Sequence, residues 1–100
     1  MTSMPIDFSR AGAVLKQAMR EQIANPTRAV VNGESAFVRE RLERAGEFYL
    51  ARQYWNWVCM GRVYDQDLMA VFDTEVVELQ SQLNAIDQAI DLPDWAHRGT

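Results

Sequence analysis

The sequence predicts an all-α domain, a compact bundle of three main helices over about 8–24, 36–60 and 66–91 with room for short extra turns. Three observations lead there. Apolar residues recur at intervals of three and four along most of the chain, and Gly and Pro stand where those stretches would end. One hundred residues with 48% hydrophobic content also suffice for one domain, 1–100, with its own core, since a chain of this size buries roughly two thirds of its unfolded surface.

The first helix begins after Asp7 or Ser9, either of which accepts from the open N–H groups of a first turn. Phe8, Ala11, Leu15, Ala18, Met19 and Ile23 lie near helical spacing, and Asn25 with Pro26 ends the run at about Ala24. A helical turn is expected over Thr27 to Val31. Asn32 and Gly33 then read as a turn, with Ser35 as the next cap.

The second helix, about 36–60, changes character midway. Its first half is amphipathic, with Phe37, Val38, Leu42 and Ala45 inside and Arg39, Arg41, Glu43, Arg44 and Glu47 outside. Its second half is apolar nearly all round. Three stripes follow from about 100° per residue: Val38, Leu42, Ala45 and Tyr49; Phe37, Phe48, Trp55 and Cys59; and Leu50, Tyr54 and Trp57. Such a helix is expected at the centre of the bundle. If one stripe is left for a partner or a second copy, the expected one is Leu50, Tyr54 and Trp57.

Gly61 stops that helix, Tyr64 and Asp65 supply a turn and a cap, and the third helix follows. Met69, Phe72, Val76, Leu79, Leu83, Ile86 and Ile90 alternate intervals of three and four, an a/d seam. One kink is expected at Asp73 and Thr74, with Thr74 capping the second piece. Pro93 ends the helix, Trp95 folds back as an anchor, and residues 1–5 and 97–100 fray. The short connection from Gly61 to Asp65 makes helices two and three an antiparallel hairpin, bringing Arg39 near Asp87 and Ser35 near Asp91.

The net charge of −4 hides an asymmetry. Residues 1–62 hold nine of the ten bases against six acids, whereas 63–96 carry eight acids and no Lys or Arg. The expected partner surface is therefore the acidic face of the third helix, Asp73, Glu75, Glu78, Asp87 and Asp91, engaging a basic surface on another protein. Direct nucleic-acid binding is not expected, since acids repel phosphate and Arg39, Arg41 and Arg44 alternate with glutamates. No membrane span, membrane-surface helix or secretory leader is read, and the single Cys59 suits a reducing compartment, so the expected location is cytoplasmic.

Catalytic chemistry finds little to work with. His97 is alone, Gly33, Gly46 and Gly61 form no phosphate loop, and Asp65 and Asp67 lack the glycine and closing glutamate of a calcium loop. No catalytic residue, metal site or cofactor is expected. In size, acidity and this thin inventory the chain is similar to small phage or mobile-element inhibitors, anti-CRISPR proteins among them; the likeness is compositional and aligns no residues. It implies a non-enzymatic protein-binding module. The alternative is a self-associating assembly protein, a homodimer through the aromatic or heptad face; an enzyme or small-molecule binder using Tyr49, Trp55 and Cys59 stands behind both.

Overall fold

A computed structural model describes residues 7–26 and 33–91 of the chain, the last three by backbone alone. The predicted turn over 27–31, the Trp95 anchor, the His97 tail and the side chains of Ile90 and Asp91 lie outside the described residues. The described chain is all-helical: α1 (Phe8–Ala24), α2 (Glu34–Arg44), α3 (Phe48–Met60), a 3-10 segment (Gln66–Val71) and α4 (Thr74–Asp91).

Asp7 caps α1 as its residue type predicts, its Oδ1 accepting from the Arg10 N–H at 3.0 Å. Ala11, Leu15, Ala18 and Met19 turn one buried face to the bundle. The cap of α2 comes from across the fold. Gly33, at φ +89°, offers no side chain, and the Asp87 carboxylate of α4 accepts from the Glu34 N–H at 2.5 Å. A Cβ at Gly33 would lie 2.9 Å from Asp87 Oδ2, so this glycine serves both its backbone angle and the close approach of α4.

The stretch predicted as one helix over 36–60 is two. At Arg44 the chain closes a Schellman turn: Gly46 N–H donates to Glu43 O and Glu47 N–H to Leu42 O, both at 2.9 Å, with Gly46 at φ +84°. The left-handed glycine reverses the chain, and α3 runs back along α2. Arg39 meeting Trp55 across a turn centred near residue 47 is the register of an antiparallel pair.

Gly61 ends α3 as predicted, at φ +67°. The next residues return along α3, where Gln53 Oε1 accepts from the Tyr64 N–H at 3.0 Å and Tyr49 O–H donates to Asp65 at 2.6 Å. Asp65 then caps the 3-10 segment, whose Leu68 and Val71 enter the core. The expected kink is present, but Asp73 is the cap of α4, accepting from the Val76 N–H at 3.1 Å, in place of Thr74. The seam holds at Val76, Leu79 and Leu83 and fails at Met69, which is 57% exposed, because the 3-10 geometry before Asp73 breaks the helical phase.

The core gathers Leu15, Met19, Val38, Leu42, Leu50, Tyr54, Leu68, Val76 and Leu83 from every element. The register expected from the sequence, Arg39 near Asp87 and Ser35 near Asp91, is not the one observed: Asp87 meets the Glu34 N–H, and Ser35 meets Gln80 in a polar chain. Tyr54 O–H donates to Gln80 Oε1 at 2.7 Å, and Gln80 Nε2 donates to Ser35 Oγ at 2.8 Å and to Asn84 Oδ1 at 3.1 Å. Those partners satisfy groups that would otherwise be buried at a cost, and burial holds the Tyr54 phenol protonated well above its usual range.

Candidate interaction surface

The acidic run on and before α4 is largely engaged inside the fold. Lys16 of α1 pairs with Asp73 at 3.0 Å and with Glu75 at 3.2 Å, and Arg20, one turn on, pairs with Glu75. The Lys16 hydrogen bond, with the Val76 N–H behind it, holds the Asp73 carboxyl below its ordinary range. Asp87 is half-buried at the start of α2, so its carboxylate has a structural task. Glu78 is exposed and outside these pairs, and the Asp91 side chain lies outside the described residues. Of the five acids read as one partner face, Asp73 and Glu75 pair with α1 at the surface, each 45% exposed, and Asp87 caps α2.

The apolar stripes of α3 are also assigned differently from the expectation. Leu50 is buried, Tyr54 has 0% exposure, and Trp57 is half-buried between Tyr54 and Phe72, with its ring centroid 5.0 Å from that of Phe72. The stripe named as the one that a partner would take is core, where Tyr54 meets Gln80 of α4 and Trp57 packs on Phe72. The outward stripe is Phe48, Arg52, Trp55 and Cys59, at helical intervals of three and four. Phe48 is 67% exposed.

Two depressions flank this outward side. One, of about 380 Å³, lies between α2 and α3 and is lined by Arg39, Glu43, Phe48, Arg52, Trp55 and Asn56. In it the Arg39 guanidinium carbon sits 4.2 Å from the Trp55 ring centroid, a cation–π contact across the hairpin. The other, of about 500 Å³, follows the end of α3, with Trp57, Val63, Tyr64, Met69 and Phe72 as its apolar lining and Arg62 over the Tyr64 ring at 5.6 Å. Met60, 59% exposed, adjoins it, accepting from Tyr64 O–H through sulfur at 3.5 Å. Tyr49 is exposed as well, and its hydrogen bond to Asp65 lowers that carboxyl's pKa and raises its own.

The sequence shows Phe37, Phe48, Trp55 and Cys59 as a stripe and Arg39 among the outer charges of the first half, and it gives Arg52 no role. The signal for their meeting is the turn at Gly46. Once the chain reverses there, residues 39 and 55 face each other. Among the described residues no group of three or more metal-ligating side chains occurs and no helix is long and apolar enough to cross a membrane. No known protein family matches the sequence, nor does any curated protein or solved structure.

Proposed function

We propose that this chain is a non-enzymatic protein-binding module whose contact surface is the outward side of α3 with the corner that follows it. The observation that carries the reading is the placement of exposed apolar bulk. Of the large hydrophobic side chains exposed among the described residues, Phe48, Tyr49, Met60, Tyr64 and Met69 belong to α3 or to the chain just after it, and only Phe8 on α1 and Val77 on α4 lie elsewhere. Clustered aromatic and methionine side chains of this kind are enriched at protein interfaces, where they contribute large contact area and, for methionine, an adaptable fit. Small depressions on both flanks give such a surface relief into which partner side chains insert. The likeness in size and acidity to small phage inhibitors, which work by protein contact, supports the same reading.

The test is capture from source-cell lysate by the native chain and by a variant carrying Phe48→Ser, Met60→Ser and Tyr64→Ser. These side chains contribute little to the core, so the variant should unfold at nearly the native urea midpoint while losing the partner. A partner retained by the variant contradicts the assignment. Recovery of only copies of the chain itself moves the surface to a homodimer, which light scattering of the purified protein then shows directly.

A further inference from the structure

We propose that the depression between α2 and α3 docks an acidic segment of the partner protein, with Arg39 and Arg52 taking a carboxylate while an adjoining apolar side chain lies on Phe48 and Trp55. This rests on the protein-binding reading above and supplies the partner's chemistry.

The argument begins with how the bases are used. Among the described residues, Arg10, Lys16, Arg20, Arg41 and Arg44 each form an ion pair within the chain. Arg39, Arg52 and Arg62 form none, and all three sit on the α2–α3 hairpin or at its exit. Two of these three line one depression. The bases outside ion pairs therefore gather on the α2–α3 hairpin and its exit, while Asp73 and Glu75, at the start of α4, are answered by Lys16 and Arg20 of α1.

Arg39 is more than a leftover charge. Its Nε is buried and has no hydrogen-bond acceptor, although an uncompensated guanidinium N–H is costly to bury. The Trp55 face stabilises the cation without accepting from that N–H. Stacking of this kind fixes the plane of the guanidinium and removes side-chain freedom in advance, so an incoming carboxylate has less ordering left to offset. Arg52 supplies a second cation at the same depression, and Phe48 an exposed apolar shelf.

Glu43 lines the depression too and pairs with neither arginine. It leaves the local charge at about one positive unit, enough for one acidic side chain and its neighbour. A nucleic-acid backbone brings a charge at every nucleotide to a site of about one positive unit, whereas a protein segment can bring one carboxylate beside an apolar side chain, so the protein segment fits better.

The experiment is an NMR titration of the full chain with a blocked peptide of four glutamates around one phenylalanine, beside its glutamine counterpart and an oligothymidylate. The acidic peptide should shift the Arg39 Nε–H and Trp55 indole signals saturably, and the glutamine peptide should bind about tenfold more weakly. Arg39→Gln and Arg52→Gln should each weaken binding severalfold, and Glu43→Gln should tighten it. Arg52 is exposed, so its variant keeps the native core and reads the site even if Arg39→Gln loosens the hairpin. Absence of those shifts, unchanged affinity in Arg52→Gln, or saturation by oligothymidylate at lower concentration than the peptide overturns the proposal. A lysate partner that is lost by the Phe48/Met60/Tyr64 variant but kept by the Arg39/Arg52 variant overturns this inference alone and leaves the protein-binding reading in place.

Discussion

Replacing Gly46 by alanine distinguishes a turn from a continuous helix by the sign of the stability change. In a helix interior a glycine-to-alanine change stabilises by about 1 kcal/mol, because alanine loses less backbone freedom on folding. At the observed φ of +84° the same change forces an L-residue into the left-handed region, at a cost of about 1–2 kcal/mol. A Cβ built on Gly46 meets nothing within 4 Å, so no clash adds to the conformational cost. Gly12, inside α1 and with nothing within 4 Å of its own Cβ position, is the matched control and should gain up to about 1 kcal/mol as alanine. Urea unfolding followed by tryptophan fluorescence reads both, and in a domain of this size each kcal/mol moves the thermal midpoint by about 4–8 °C. Stabilisation by Gly46→Ala would refute the turn, and with it the hairpin that brings Arg39 to Trp55.

Three further outcomes follow from particular contacts. Asp87→Ala should destabilise by about 1–2 kcal/mol through loss of the cap on α2, and Asp87→Lys by more, which calorimetry checks; an unchanged midpoint would show that the Glu34 N–H is satisfied otherwise. Tyr54→Phe removes the donor to a buried Gln80 oxygen and should cost about 1–3 kcal/mol in urea unfolding, whereas Trp55→Ala, at a half-buried site, should cost about 1 kcal/mol against the 2–5 kcal/mol expected for Leu42→Ala. The Asp73 carboxyl is held below its ordinary 3.8 in the fold, so its contribution is present above that value and is lost as pH falls through the lower folded value; Asp73→Asn should flatten the acid limb of the urea midpoint there.

The helical class, the ends at Ala24 and Gly61, and the core positions Leu15, Val38, Leu42, Val76 and Leu83 were legible because each rests on local periodicity or on a residue with a strong terminal preference. The turn at Gly46 was harder to see. A lone glycine inside an apolar-periodic run is tolerated in helices, and only its coincidence with the change from an amphipathic to an all-apolar pattern marked a boundary. The stripes of α3 were resolved correctly by angle and assigned to the wrong side. Phe48, Trp55 and Cys59 are as apolar as Leu50, Tyr54 and Trp57, and what buries the second set is its contact with residues far along the chain, Gln80 and Phe72 among them. The internal partners of the acidic run were hidden for a related reason. Counting charges along the chain omits partners from other helices, and Lys16 and Arg20, one turn apart on α1, are placed to answer Asp73 and Glu75.

The most direct measurement of where a partner sits is photo-crosslinking in source cells, with a benzophenone side chain in place of Tyr64 in one variant and of Glu78 in another, since both positions are exposed. A binding surface on α3 and its corner predicts a discrete cross-linked partner from position 64 and none from position 78. A partner captured at position 78 and not at position 64 would return the contact to the acidic helix and contradict the surface proposed for this chain.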